Sequence, residues 1–399
     1  MCQKSLIEIK LLEYDSVELE CYNREKFGGF NMKKLNVGVI YGGISSEHLV
    51  SRASANTVIS NLSQEKYNVI PIYINKEGSW IMYDNYKDDL KDFKWEKIGV
   101  DVSLSVNQTQ KGLLRLVRDK AKLISIDIVF PVLHGLNGED GTIQGLFEFS
   151  GIPYVGCGVL SSAISMDKSF MRLVAKNIGL NQTEYLAFKA HDFKKEPDKI
   201  VRLIKKEIDY PCFIKPCNGG SSIGIKKVKN KKELLDAIDL ALHHDKKIMA
   251  EKAICGREFE CAVLGDSFSG EVNVSGVGEI KCEHEFYDYD AKYMDKSSYT
   301  VIPADLPKKV IETIKDYSSK IFRAVDGSGL ARIDFFVEDG TNEVFFSEIN
   351  TMPGFTSISM YPKLWEAEGI SIGVLLDKLI DLGLKKDLGR EQKIWKIEQ

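Results

Sequence analysis

Residues 329–350 read GLARIDFFVEDGTNEVFFSEIN, two apolar-rich runs, Gly329 to Val337 and Glu343 to Asn350, joined by Glu338-Asp339-Gly340-Thr341-Asn342. An Asp-Gly pair between runs of this kind is a hairpin signal, so the runs are expected to pair antiparallel. A three-residue loop sets Glu338 opposite Asn342 and Arg332 opposite Glu348, with Asp334 as the diagonal neighbour. Side chains alternate faces along a strand, so Arg332, Asp334, Glu348 and Asn350 then project from one side. Two carboxylates and a carboxamide on one face make a hard-oxygen site suited to magnesium, which also takes phosphate oxygens from a nucleotide. Zinc would want His or Cys. A solvated strand face carrying an Arg–Glu pair is the competing reading of the hairpin alone.

Upstream, Ile214 to Gly224 (IKPCNGGSSIG) places Lys215 at the end of a strand-like run from Cys212. Small residues follow, and a second strand-like run spans Ile225 to Val228. Glycines let backbone N–H groups approach an anion closely, while Lys215, Ser221 and Ser222 add charge and donors. The loop is not GxxxxGK[ST] and does not open a helix, so it is no Walker loop; a structural turn competes evenly with a phosphate clamp. Met249 to Ile254 (MAEKAI) has the form of an inter-domain segment. It offers the Glu251 carboxylate to ribose hydroxyls and the Lys252 and Ile254 backbone to an adenine edge, although a strand with a charged end accounts for it equally.

Near the N-terminus, Val37 to Gly43 is a buried-strand run ending in glycines, followed by a helix-like stretch from about Ser46 to Leu62. This is the opening of a βαβ unit. A second strand is expected at Tyr67 to Ile74, and the polar stretch from about Tyr83 to Lys122 reads as an insertion. Ser125 to Val132 is again strand-like and runs into His134-Gly135-Leu136-Asn137-Gly138-Glu139-Asp140-Gly141, a loop beyond a strand end, where open α/β sheets bind ligands. GxGxxG is absent, which argues against a dinucleotide-dependent oxidoreductase. Helical spacing runs from Val159 to Ile178, with Lys168 within it, and Ile372, Leu375, Leu376 and Leu379 mark one face of a late helix. Glu260 to Leu264 is strand-like, Glu283 to Ser298 is a polar-aromatic loop, and no internal repeat is visible.

With 399 residues, 44% hydrophobic and 28% charged, the chain has room for two or three domains. A formal net charge of -4 offers no concentrated basic face for nucleic acid or an anionic membrane. No apolar run of about 18 residues and no secretory signal pattern occurs, so a cytoplasmic protein acting on small molecules is expected. The eight cysteines lack a CxxC pair and are read as reduced, buried, structural thiols. Residues 1–31 show no periodicity, and Gly28-Gly29, encoded GGNGGN, stands six nucleotides before the Met32 codon. That spacing fits a ribosome-binding site, so translation is expected to start at Met32; a genuine extension is the alternative.

Taken in order, these pieces resemble the ATP-grasp superfamily and within it the D-alanine–D-alanine ligases, from about Asn36 to Leu384. The resemblance rests on Gly42-Gly43-Ile44-Ser45-Ser46-Glu47, the stretch from Phe130 to Gly156, Met166-Asp167-Lys168 and the Lys215 to Gly224 loop. It continues through Gly256-Arg257-Glu258, Tyr287 to Tyr293 (YDYDAKY), Arg332-Ile333-Asp334 and Glu348 to Gly354. It implies an α/β chain, α+β in its ATP-grasp part, with three domains: a Rossmann-like pre-ATP-grasp substrate domain over 32–156, a central subdomain over 157–254 and a C-terminal subdomain over 255–386, before a tail over 387–399.

The resemblance also implies site roles. Lys168, Lys215, Ser221, Ser222, Glu251, Lys252, Ile254, Glu258 and Lys292 would bind ATP, and Asp334, Glu348 and Asn350 two magnesium or manganese ions. Glu47 and His134 would lie at the ammonium of the first D-alanine. Helix-terminal charge and a packing histidine are the respective competing readings. Arg332 and the Gly354 N–H would meet the tetrahedral oxyanion, and Ser359 the second substrate's carboxylate. Tyr293, with Ser221 and Glu47, would close a mobile loop that excludes water. The expected partners are ATP and D-alanine, with the chain as a homodimer. Ligation of D-alanine to D-serine, or less so D-lactate, is the nearest alternative; an inactive nucleotide-binding module is remote from it.

Overall fold

Three β-sheets carry the fold in a computed structural model, which describes residues 33–83, 99–117, 120–282 and 298–391. The extension 1–31, the loop residues Lys292 and Tyr293 and the tail beyond 391 lie outside the described residues. The first sheet is built on β1 (Leu35–Gly42), whose Val37, Val39, Ile40 and Tyr41 are wholly buried, as a parallel strand covered on both faces requires. It pairs in parallel with β2 (Tyr67–Ile74) on one side and with β7 (Ile128–Val132) on the other. The helix His48–Asn61 makes the crossover from β1 to β2.

Between β2 and β7, β3 (Trp80–Met82) comes just before the expected insertion, whose described part forms β4 (Val100–Leu104), β5 (Gly112–Val117) and the start of β6 (Lys120–Ser125). These add antiparallel, giving the order β6-β5-β4-β3-β2-β1-β7. The run Ser125–Val132 is therefore not one strand. Asp127 breaks it, its carboxylate accepting the Asn36 N–H at 2.7 Å and its own N–H donating to Asn36 O at 2.9 Å.

The second sheet holds β8 (Tyr185–Lys189), β9 (Cys212–Pro216), β10 (Lys226–Val228) and β11 (Lys247–Lys252) in the order β10-β9-β11-β8, all antiparallel. Helices Pro197–Glu207 and Lys231–Leu242 bury Ile204, Leu234, Ala237 and Ile238 against Ile214, Val228 and Ile248. Each such large aliphatic contributes about 1.5–3 kcal/mol on leaving water. The glycine-rich loop is the β9–β10 connection. The helix read from Val159 to Ile178 is two helices, Val159–Met166 and Lys168–Asn177. Asp167 sits between them in extended conformation and its carboxylate accepts from the Ser169 and Phe170 N–H groups, restarting the helix as an N-cap. Apolar spacing runs through the break because it does not register a cap.

The third sheet runs β14-β13-β12-β15-β16, with β12 (Gly256–Asp266), β13 (Glu271–Cys282), β14 (Ser298–Val301), β15 (Ser328–Glu338) and β16 (Val344–Asn350). One face, with Phe259, Cys261, Ile333, Phe335, Phe346 and Ile349, packs on the helix Lys308–Ala324 through Val310, Ile314, Ile321 and Phe322. On the other face Ala262, Leu264 and Leu330 enter the core of the first sheet with Val37, Val39 and Tyr41. That core also takes Leu375, Leu376, Leu379 and Ile380 of the helix Ile372–Glu391. The polar end of the same face therefore looks toward the first sheet.

The register of β15 on β16 differs from the expected one. Arg332 pairs with Asn350 and Asp334 with Glu348, while Phe335 pairs with Phe346 and Val337 with Val344. The turn is longer than three residues: Glu338 N–H donates to Glu343 O at 3.0 Å. The ladder then shifts between Asp334 and Phe335, leaving Ser347 as an extra residue in β16. Phe346 faces the apolar core, and simple alternation would turn Glu348 there too. The bulge reverses the parity and brings Glu348 and Asn350 onto the Asp334 face.

Candidate active site

The C-terminal ends of β1 and β7 lie side by side where the strand order changes direction, the place where parallel sheets open a crevice. Two loops meet there, Gly43–Glu47 and His134–Asp140, and Ser45 Oγ donates to His134 O at 2.7 Å. Glu47 is the N-cap residue of the His48–Asn61 helix, yet its side chain makes no cap hydrogen bond. The buried carboxylate turns away, and Ser221 of the glycine-rich loop donates its hydroxyl to Oε1. Gly135 (φ +74°) and Gly220 pass so close that a Cβ on either would lie 2.5 and 2.8 Å from Glu47 Oε2, which explains glycine at both places.

His134 is buried between Met352 O (Nδ1, 3.0 Å) and Ser54 Oγ (Nε2, 3.0 Å). Burial lowers its pKa below the usual imidazole value despite the opposing charge of Glu47. Glu139, five residues on, has its carboxyl pushed up to about 8, first by burial and then by Glu47, against the donated N–H groups of Gly135 and Met352.

Across the crevice, Arg332 donates from Nε and Nη2 to both oxygens of Asp334 (2.8 and 2.7 Å) and lies 3.1 Å from Glu260 Oε2. These carboxylates outweigh its burial and hold its pKa well above the usual guanidinium value. Asn350 Nδ2 donates to Asp334 Oδ2 at 3.0 Å, and Lys168 Nζ bridges Glu348 Oε2 (3.1 Å) to Gly219 O (2.8 Å). Asp334, Glu348 and Asn350 thus present an all-oxygen donor set on one face, its charge balanced by Arg332 and Lys168. Among the described residues no group of three or more His, Cys, Asp and Glu is arranged to hold a metal ion. Two carboxylates and a carboxamide fit magnesium, which draws its remaining ligands from water and phosphate rather than from a full protein cage.

Lys215 pairs with Glu251, which also receives Arg172 and the Thr183 hydroxyl. Burial would raise the Glu251 pKa, but Arg172 and Lys215 overcome it and hold it down to about 2. Arg172 also donates to Phe346 O at 2.7 Å, beside the Ser347 bulge, so one buried cation joins β11 to β16. The Lys252 N–H donates to Glu184 O at 3.0 Å and its side chain is exposed; Ile254 lies in the β11–β12 connection, and Glu258 is half-buried on β12. Ser222 follows Ser221 with positive φ, both in the glycine-rich loop.

One cavity is lined by Glu47, His134, Glu139, Ser221, Glu260, Arg332, Glu348, Asn350, Gly354 and Ser359. It gathers residues from the strands of the third sheet and from loops of the other two. Lys168, Lys215, Ser222, Glu251, Lys252, Ile254, Glu258 and Asp334 do not line it. Ser54, Glu139, Arg172 and Glu260 escaped the sequence reading. Two left a signal: Glu139 stands in the His134–Gly141 loop expected to bind a ligand, and Glu260 alternates with Glu258 along β12 and shares the Asp334 face. Cys157, Cys212, Cys217 and Cys261 are buried free thiols, but Cys255 is exposed in the β11–β12 connection, where no core covers it. The side chains of Cys2, Cys21 and Cys282 lie outside the described residues.

Family models described as D-ala D-ala ligase N-terminus and D-ala D-ala ligase C-terminus match residues 36–157 and 174–381. A curated D-alanine–D-alanine ligase of Caldicellulosiruptor bescii is 51% identical over 356 residues, 89% of this chain and 97% of that protein. One from Acetivibrio thermocellus is 47% identical over 367 residues, 88% and 96% of the two chains. Among solved structures, the VanG D-Ala:D-Ser ligase from Enterococcus faecalis superposes with a TM-score of 0.79 at 39% identity, over 88% of this chain and 100% of that one. The D-alanine-D-alanine ligase from Coxiella burnetii gives 0.79 at 33% identity, over 90% and 97%.

Proposed function

This chain belongs to the D-alanine–D-alanine ligase family, and from that premise we propose that it joins two D-alanines at the expense of ATP. The products are D-alanyl-D-alanine, ADP and phosphate, and the dipeptide serves peptidoglycan precursor synthesis and so cell-wall biogenesis. The observation that supports this most is the single cavity lined by Glu47, Ser221, Arg332, Glu348, Gly354 and Ser359.

A carboxylate is a poor acyl donor, so an oxygen of the first D-alanine attacks the γ-phosphorus, ADP leaves, and an acylphosphate forms. Lys168 and Lys215 neutralise phosphate charge, with Ser221 and Ser222 as loop donors. Glu251 sits beneath Lys215 and sets its position, while Lys252, Ile254, Glu258 and Lys292 hold the nucleotide's base and ribose or its phosphates. Asp334, Glu348 and Asn350 would hold two magnesium or manganese ions, which supply charge neutralisation at the transferring phosphoryl group. Glu47 binds the ammonium of the first D-alanine.

The amine of the second D-alanine then attacks the acyl carbon. Its oxyanion needs fixed donors, supplied by the Gly354 N–H and by Arg332, which Asp334 and Glu260 hold charged and in place. Phosphate departs with the C–O bond, the amine loses its proton, and the peptide bond remains. Ser359 meets the second carboxylate, and Tyr293 with Ser221 and Glu47 seals the site from water that would hydrolyse the acylphosphate. The same reading carries a cytoplasmic homodimer. No helix of the described residues is long and apolar enough to cross a membrane.

ADP release is measured with D-alanine alone, then with D-serine or D-lactate added, and the products are identified by mass. D-Alanyl-D-alanine as the main product in every mixture supports the proposal. A mixed D-alanyl-D-serine product in preference would move the chain to the specificity printed for the Enterococcus faecalis structure, and no ADP under any condition would refute a ligase.

A further inference from the structure

Gly354 stands in residues 351–359, a stretch without helix or strand between β16 and the helix Met360–Ala367. An N–H that must meet an oxyanion for an instant works only if its backbone is already fixed, and the stretch's own hydrogen bonds, Thr356 N–H to Ser359 Oγ and Ser359 N–H to Thr356 O, both at 3.0 Å, lie beyond Gly354. The fixing at Met352 and Phe355 comes from the loop after β7 and from the crossover helix His48–Asn61. Met352 O accepts from His134 Nδ1 at 3.0 Å, Met352 N–H donates to Glu139 Oε1 at 3.2 Å, and Phe355 N–H donates to Ser54 Oγ at 3.1 Å. The residues that flank Pro353-Gly354 are thus gripped on both sides.

The hydrogens have one consistent arrangement. A carbonyl only accepts, so His134 Nδ1 carries the proton; its neutral Nε2 accepts the Ser54 hydroxyl (3.0 Å), leaving the Ser54 oxygen to accept from Phe355. Glu139 is anchored to its own loop by the Gly135 N–H on Oε2 at 2.7 Å. Phe355, buried, stands edge-on to Phe130 of β7 at 6.1 Å between centroids.

We propose that Ser54, His134 and Glu139 form a bracket that positions the Gly354 N–H, and that His134 acts through the Met352 backbone rather than on the substrate ammonium. The proposal rests on the ligase reading for what Gly354 does, but not for the bracket itself. The test therefore has two arms, run on full-length Ser54→Ala, Glu139→Gln and His134→Gln. Amide hydrogen exchange, read by mass spectrometry without substrates, is expected to rise at least about ten-fold in peptides spanning 351–357 and to stay unchanged in β9 and β11. In steady state, kcat for dipeptide is expected to fall about ten- to a hundred-fold. The KM for D-alanine changes less than about three-fold and ADP released per dipeptide rises above one, because acylphosphate still forms and is lost to water. Unchanged exchange in 351–357 overturns the bracket whatever the enzyme makes. So does a His134→Gln effect confined to the KM for the first D-alanine, which would make the imidazole a substrate contact.

Discussion

Asp334 and Glu348 face each other across β15 and β16 only because Ser347 is an extra residue in β16. The ladder on the turn side of the bulge, carried on without it, would set Ser347 against Asp334 and turn Glu348 toward the core beside Phe346. Deleting Ser347 regularises the ladder and leaves Glu348 opposite Asp334, Ile349 opposite Ile333 and Asn350 opposite Arg332. The deletion is expected to fold and to lower ADP formation by no more than about ten-fold, roughly 1.4 kcal/mol of barrier. Complete loss, with unchanged circular dichroism, would mean the bulge does more than set the face.

Arg172 has two tasks, balancing Glu251 and holding Phe346 O. Arg172→Met leaves a buried carboxylate with Lys215 as its remaining cation and an unmet carbonyl beside the bulge. Breaking a buried pair costs about 3–5 kcal/mol. The urea midpoint should fall accordingly, and the KM for ATP should rise, because Lys215 is drawn more tightly to Glu251. A midpoint within error of the parent's would contradict this.

The same carboxylate sets a pH dependence. Glu251 is held down to about 2, mainly by Arg172 and Lys215 against burial, from an ordinary value of 4.5. A depressed carboxylate contributes stability fully present above its unfolded pKa and lost as pH falls through the folded one. Its contribution, roughly 3 kcal/mol, is therefore complete near pH 5 and disappears between about pH 4.5 and 2. Urea midpoints of the parent and Glu251→Gln should differ most above pH 5 and converge toward pH 2; a gap that stays constant would remove the carboxylate's charge from the account.

Glu47 reaches Glu139 through its charge. Burial first and Glu47 second push the Glu139 carboxyl up to about 8, a shift that favours the folded state at low pH and loses that benefit as pH rises through 8. Glu47→Gln should move the Glu139 titration downward, visible in a carbon-13 carboxyl NMR titration of the substrate-free protein. It should also raise the KM for the first D-alanine about ten- to a hundred-fold, the loss of one charge-assisted hydrogen bond. A Glu139 titration that stays put would assign its shift to burial alone.

The features legible in the sequence are local ones. The run from Val37, the hairpin around Asp339-Gly340 and the glycines after Lys215 are each decided by neighbours a few residues away, and all three emerge as strand, hairpin and loop. What was missed depends on distance or on a single polar atom. Asp127 and Asp167 end elements through hydrogen bonds that apolar spacing does not record. The Ser347 bulge has no marker in FFSEIN, because which residue is extra depends on packing against Phe335. Glu139, Arg172 and Ser54 act on residues 213, 79 and 301 positions away, contacts that composition and period cannot encode.

Whether the Asp334–Glu348 face and the Glu47–Ser221 cavity together make an ATP-driven dipeptide ligase is tested by the stoichiometry of ADP to D-alanyl-D-alanine with D-alanine as the only amino acid. One ADP per dipeptide is expected for the parent and no ADP for Glu348→Ala, whose circular dichroism stays that of the parent. Undiminished ADP release by Glu348→Ala, or ADP without dipeptide in the parent, would contradict the ligase reading.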